Sequence, residues 1–385
     1  MILMYWPENE LNPRGGPAGY LFNLKKGLDE IGFEVSFLPS AYDSVQRELL
    51  RRIVPNRARE FRLALKYAGS SRRAIEVDPD FLSCKAIHFQ STTDLYFARK
   101  FLESYQGMVL LTSHSPRITH AEHLARLNPK DIRLFRERLK GLERIDEYAF
   151  ERADVVIFPC EEAEEPYFHS WPRYEQVRDE RKLSYLATGV IDCVARVPRY
   201  DVRKHYGIPE NAFVLSFVGR HDEIKGYCDL KELGRSVLGK RDDVWFLLAG
   251  REYPERRLDH PRWIEVGWTD DPHSLMAASD LFILPNRETF FDLVLLETLS
   301  LGLPVVASAT GGNKHFKKFE QSGVFLYDDP SKLAPLVEGI IDSGKEALEK
   351  SGKINREIFM KDYTCAAFAN RYVDLLSNLG LECKV

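Results

Sequence analysis

At 385 residues, with 44% apolar side chains and a formal net charge of −4, the chain is long enough to bury two sizeable cores. Its near balance of charge gives no reason to expect a nucleic-acid partner. The six cysteines, at 84, 160, 193, 228, 365 and 383, lie far apart with no C-x-x-C pair, which argues against a disulfide framework or a zinc knuckle. No signal peptide and no apolar run of about 18 residues is present, so a reduced, cytoplasmic protein is expected.

In chain order, residues 1–5 form a short apolar strand. It leads into Asn-Pro-Arg-Gly-Gly-Pro-Ala-Gly at 12–19 and a helix over 20–32, with Leu21, Leu24, Leu28 and Ile31 on one face. A glycine-rich turn between strand and helix lets backbone approach a phosphate, and the helix dipole favours its charge. Many such turns are glycine-rich for steric reasons alone. Val-Ser-Phe-Leu at 35–38 is the second strand.

Residues 47–73 carry nine Arg or Lys against two Glu. Ala58, Phe61, Leu65 and Ala68 recur at helical spacing, opposite Arg57, Arg59 and Arg62. Three readings stay open: a basic helix on an anionic membrane surface, a site for a phosphate-bearing acceptor, or a solvated face packed on the first domain. Asp78-Pro-Asp80 has the form of a metal-diphosphate ligand pair, but without a preceding apolar strand it reads as a turn.

Strands follow at 86–89 and 109–112, the second running into Ser113-His114-Ser115-Pro116. A His just past a strand end occupies the crevice position of a doubly wound fold. His120 and His123 lack a carboxylate partner legible in the sequence, so a metal triad with His114 is not expected. Residues 131–152 read as a charged helix and 154–159 as a strand. Linker-like residues 198–209 place a domain boundary near 195.

Phe-Val-Leu-Ser-Phe-Val at 213–218 is a near-continuous apolar strand suited to a buried parallel sheet. It ends in Gly219-Arg-His-Asp-Glu-Ile-Lys-Gly226. Strands at 245–249 and 264–266 lead to Gly250 and Gly267, and a short helix starts near 274. Residues 281–312, LFILPNRETFFDLVLLETLSLGLPVVASATGG, form one β-loop-α-β unit: a strand stopped by Pro285, a polar loop, a helix from Asp292 closed by Gly302, and a strand into Gly311-Gly312. Val-Phe-Leu-Tyr at 324–327 is another strand. Phe368, Tyr372, Leu375, Leu376 and Leu379 mark an amphipathic last helix.

These landmarks resemble the family-4 retaining glycosyltransferases of GT-B architecture, whose donor signature sets a loop Glu and a helix Glu eight positions apart around Phe-Gly-Leu-Val. Glu297 matches the second Glu, and Phe291-Asp292-Leu293-Val294 stands where Phe-Gly-Leu-Val would be. The first Glu falls on Thr289 in strict register, with Glu288 one residue early. Arg220 and Lys225 match the family's cation pair, and Gly15 and Gly16 its first-turn glycines.

The resemblance implies an α/β fold of two Rossmann-like domains facing across a cleft. An acceptor-side domain would span 1–195 and a donor domain 196–360, with a C-terminal helix at 361–385 returning to the first domain. It implies transfer of a hexose-type sugar from a nucleotide diphosphate sugar to an acceptor hydroxyl with retention, without a metal or other cofactor. Arg220, Lys225 and the amides of 292–294 would hold the diphosphate. Glu297 would hold the ribose, Glu288 or Thr289 the sugar hydroxyls, and His114 would orient sugar or acceptor. Gly15 and Gly16 would face the donor phosphates, and the backbone at Gly250 and Gly267 the base. The acceptor would be a glycan, a lipid-linked sugar or a small molecule, with the protein on the inner membrane face if residues 47–73 bind lipid. A nucleotide-sugar epimerase and a non-catalytic partner subunit are the alternatives.

Overall fold

The computed structural model describes residues 1–6, 11, 13, 16–37, 56–69, 78–114, 116–252 and 254–381. The chain forms two compact units, Met1–Ala187 with Ala369–Val385, and Thr188–Phe368.

The first unit is built on a parallel sheet with strand order β2-β1-β3-β4-β5-β6. Its strands are β1 (Ile2–Tyr5), β2 (Ser36–Phe37), β3 (Ala86–Phe89), β4 (Met108–Thr112), β5 (Val155–Phe158) and β6 (Leu183–Tyr185). β1, β3 and β5 are buried at every position. Helices cover both faces of such a sheet, and these strands answer with near-continuous apolar runs, interrupted by His88 on β3, rather than alternation. The edge strand β6 is short, half-exposed and polar at its centre, so no pattern marks it in the sequence. From the other end of the chain, the Tyr372 hydroxyl meets His88 Nδ1 on β3 at 3.0 Å, tying the last helix into this unit.

Two local expectations change. The first helix is Gly16–Ile31, four residues longer at its start than the apolar periodicity alone indicates. The charged helix expected over 131–152 is broken into Pro129–Leu134, Arg136–Leu139 and Glu143–Arg152. The break at Gly141 accommodates the end of helix Asn56–Ala68, because a Cβ there would lie 2.1 Å from the Ala68 carbonyl oxygen. Gly141→Ala is therefore expected to cost about 2 kcal/mol, read as a lowered urea midpoint. Helix Asn56–Ala68 also spends its apolar side on the protein: Ala64 is buried with Leu127, Leu139, Leu142 and Ile145, and Phe61, Leu65 and Ala68 pack against them. Arg57, Arg62 and Lys66 stay exposed. The rest of the 47–73 stretch, residues 47–55 and 70–73, lies outside the described residues. Asp78 caps a short 3-10 turn, accepting from the Asp80 amide at 3.0 Å, as a turn reading requires. Among the described residues no helix is long and apolar enough to cross a membrane.

The second unit holds β7 (Phe213–Val218), β8 (Val244–Ala249), β9 (Trp263–Glu265), β10 (Leu281–Leu284), β11 (Val305–Ser308) and β12 (Val324–Tyr327), in the parallel order β12-β11-β10-β7-β8-β9. Strand order reverses between β7 and β10, which pair in register at Leu281 with Leu215. At such a switch point the loops leaving the two strands diverge and open a crevice beyond their carboxyl ends. Residues 219–226 and 285–292 are those two loops.

Candidate active site

The loop after β7 is held in place by glycines that no other residue could replace without movement. Gly226 has φ +65°, and a Cβ there would lie 1.7 Å from the Pro285 carbonyl oxygen. The Arg287 amide donates to the Ile224 carbonyl at 2.9 Å, so the loops after β7 and β10 are in backbone contact. Gly250, at φ +151°, would place a Cβ 1.7 Å from the Gly219 carbonyl oxygen, and its amide donates to the Gly267 carbonyl at 2.9 Å. Close backbone packing thus accounts for glycine at 250. Gly267 has φ +75° and open space around a Cβ, so its conformation alone calls for glycine.

This contact brings Lys225 to the start of helix Leu293–Ser300. Lys225 Nζ forms an ion pair with Asp292 Oδ2. Asp292 is the helix N-cap, its Oδ1 accepting from the Val294 amide at 3.2 Å. Asn286 Nδ2 donates to Asp292 Oδ2 at 2.6 Å. Burial alone would raise the Asp292 pKa, but Lys225, Asn286 and the Val294 amide outweigh it and hold the carboxyl below its ordinary value. Of the amides over 292–294 expected to help hold the diphosphate, that of Val294 is engaged by the Asp292 carboxylate. Asp222 links the second cation to the same loop, accepting from the Lys225 amide at 2.9 Å and lying 3.3 Å from Arg220 Nε. Arg220 itself is 66% exposed, reaching outward from the loop.

Further along that helix, Glu297 Oε2 lies 3.4 Å from His273 Nε2, both largely buried. His273 stands in the first turn of helix Pro272–Ala277 and was not singled out by sequence, since a lone His there carries no spacing signal. The expected C′ role of Gly302 is met. It has φ +64°, its amide donates to Leu299 and that of Leu303 donates to Thr298, the paired bonds of a Schellman ending. Of the two candidates for the first Glu, Thr289 is buried and Glu288 is half-buried. Phe291 is packed, and a Cβ on Gly312 would lie 2.9 Å from its ring and 2.1 Å from the Phe290 carbonyl oxygen, so the glycine loop clamps the signature.

Beneath the loop after β7, His221 stacks on Tyr227 with centroids 4.0 Å apart and sits 3.4 Å from Glu265. Burial lowers the His221 pKa despite that carboxylate. The stack anchors the backbone that carries Arg220 and Lys225.

In the first unit, His114 Nε2 donates to Gln90 Oε1 at 2.8 Å, and its ring lies 4.6 Å from that of Tyr20. The bond assigns the proton to Nε2 and leaves Nδ1 as an acceptor. Gln90 follows β3 directly, a strand-end position readable from sequence but carrying no distinctive residue type. Gly16, with φ +61°, opens the first helix, and Gly15 lies outside the described residues. The three histidines considered together take separate neighbours: His120 Nδ1 bonds Asp146 at 2.8 Å, and His123 packs on Tyr67.

Desolvation lowers both His114 and His88 from 6.5 to about 3, with the His114 charge adding to the effect at His88. Between those values the unfolded chain binds protons that the folded one refuses, so stability falls as pH drops from about 6.5 toward 3. Urea midpoints at pH 7 and pH 5 should show a smaller loss for His114→Asn than for the unmodified chain; an equal loss would remove His114 from that account.

Residues 212–343 match the family described as glycosyl transferases group 1. The O-antigen biosynthesis glycosyltransferase WclY of Escherichia coli is 26% identical over 211 residues, covering 53% of this chain and 57% of the relative. The chain spans about half the length of that relative. Sucrose-phosphate synthase from Thermosynechococcus elongatus superposes with a TM-score of 0.68 at 18% identity, covering 98% of each chain. HepE from Anabaena in complex with UDP gives 0.64 at 17% identity, over 98% of this chain and 99% of that one. Over residues 212–343 the chain is thus similar to that family, and its fold is the GT-B fold.

Proposed function

We propose that the chain transfers a sugar from a nucleoside diphosphate donor to an acceptor hydroxyl, with retention at the anomeric carbon and without a metal. The observation that carries this reading is Lys225 set against a helix N-terminus at the switch point of the second sheet. Breaking the bond between anomeric carbon and phosphate oxygen leaves charge on the departing diphosphate. A fixed cation and oriented amides in a water-poor crevice stabilise that charge as it forms. Lys225 and Arg220 take the diphosphate, with Arg220 folding in from its exposed position. Glu297, steadied by His273, takes the ribose hydroxyls. Glu288 or Thr289 takes the sugar hydroxyls, and the loops at Gly250 and Gly267 take the base. In the first unit, His114 binds a hydroxyl as a neutral imidazole, and Gly16 at the opening of the first helix keeps the role that the resemblance gives it. The new bond from acceptor oxygen to the anomeric carbon forms on the face the diphosphate leaves. The acceptor proton passes to the departing phosphate oxygen.

The relative named for O-antigen biosynthesis and the neighbour solved with UDP support a nucleotide-sugar donor and a glycoconjugate acceptor. A panel of nucleotide diphosphates and their sugars, read by melting temperature and by sugar release, tests the assignment: a cognate donor raises the melting point by mass action and is consumed. No shift with any member sinks it. Binding without turnover supports a second reading, a non-catalytic partner subunit, which the pairing of Lys225 with Asp292 favours. Among the described residues of 47–73, contact with an anionic membrane would run through Arg57, Arg62 and Lys66 and be electrostatic, because the apolar side of that helix is packed. Sedimentation with anionic vesicles is expected to disappear as salt rises from about 50 to 500 mM.

A further inference from the structure

Asp292 is the chain's departure from the glycine of the signature it resembles, and it does not point away from the site. Its carboxylate gathers a lysine ammonium, a side-chain amide and a helix N-terminal amide, at Lys225, Asn286 and Val294. That donor set is the one an oxygen pair of a phosphate group requires. Asp292 is 7% exposed, so the pair is mutually satisfied rather than loosely screened by water. Asn286 adds an independent sign of a missing ligand. It is 1% exposed, and its Oδ1 is buried with no hydrogen-bond partner, an acceptor that a ligand hydroxyl could satisfy.

We infer that Asp292 is an affinity-determining residue that occupies the donor phosphate's seat, and that the donor binds by exchanging its phosphate for this carboxylate. The inference rests on the donor reading above and deepens it. A diphosphate entering the seat meets a Lys225 already neutralised and must displace a carboxylate. Donor affinity is therefore set below what the same cation and amides would give alone. The exchange frees Lys225 for the phosphate and leaves the helix capped by the ligand instead of by residue 292.

The test is calorimetric titration of UDP, GDP and ADP, and of the monophosphate of whichever binds, into the unmodified chain, Asp292→Asn and Asp292→Gly. Asn keeps an N-cap acceptor without the charge, and Gly removes the side chain. At least tenfold tighter diphosphate binding in both variants, with a smaller gain for the monophosphate, is the expected result. Equal or weaker diphosphate binding in variants that keep their melting temperature overturns the role of Asp292 and leaves the nucleotide site standing. Tighter binding by the unmodified chain only when Mg²⁺ is added also overturns it, since the carboxylate would then be holding a cation for the donor. No diphosphate bound by any of the three proteins defeats the donor reading itself. In the unmodified chain the Asp292 carboxylate carbon resonance should shift on saturation with the diphosphate; an unmoved resonance counts against exchange even if the variants fail to fold.

Discussion

Lys225→Ala should lower turnover by about 100- to 1,000-fold, because the leaving diphosphate loses the cation nearest to the helix end. The same change leaves Asp292 buried beside an empty space, with only Asn286 and the Val294 amide as partners. Removing one partner of a largely buried pair costs about 3 kcal/mol of stability. The two effects separate in the double variant Lys225→Ala with Asp292→Asn, which removes the stranded charge. That protein is expected to regain most of the melting temperature and none of the turnover. Unchanged turnover in the single variant would strip Lys225 of its assigned part, and recovery of activity in the double variant would reduce that part to structural support. The lowered Asp292 pKa adds a sign to the same measurement. Its stabilising contribution is present above the ordinary carboxylate range and is lost as pH falls through the folded value, so the stability gap between the unmodified chain and Lys225→Ala should narrow in acid.

Gly226→Ala should be nearly as damaging without touching a charged group. The backbone there is left-handed, and the added carbon would stand 1.7 Å from the Pro285 carbonyl oxygen, a distance no side-chain rotation relieves. The loops after β7 and β10 must separate, breaking the bond from the Arg287 amide to Ile224 and drawing Lys225 away from Asp292. A loss of about 3 kcal/mol is expected from overpacking and the left-handed backbone together, which for a unit of this size lowers the melting point by about 6–12 °C. Turnover should fall with it even at temperatures where the protein stays folded. A variant with normal melting and normal turnover would show that the two loops tolerate separation and that their contact does not set the site.

Much of this molecule is legible from residue order because its signals are local. The apolar runs over 213–218 and 281–284 coincide with β7 and β10, since a strand buried on both faces needs apolar side chains on both; the run over 324–327 coincides with β12, half-buried at the sheet edge. Gly302 ends its helix for an equally local reason, a left-handed residue at the C′ position. Arg220, Lys225 and Glu297 could be matched through the family resemblance, whose motifs lie within a few residues of each. Strand β6 could not, because its pairing with β5 rather than its composition makes it a strand. Gln90 and His273 carry no local signal for a similar reason: each matters through the partner brought to it, His114 and Glu297.

Residue order alone sets the alternation of strands and helices, the positions of the turn glycines and the identity of the cations, because each depends on neighbours within a few residues. The partner of Asp292 emerges from the fold instead. Read along the chain, Asp292 is a helix-capping residue in an unusual place. Sixty-seven positions separate it from Lys225, as the pairing shows, and what closes that gap is the parallel pairing of β7 with β10 and the one glycine that lets their loops touch. Charge neutralisation at that distance in sequence is a property of the packed fold, where burial makes an unpaired carboxylate costly and a paired one stable.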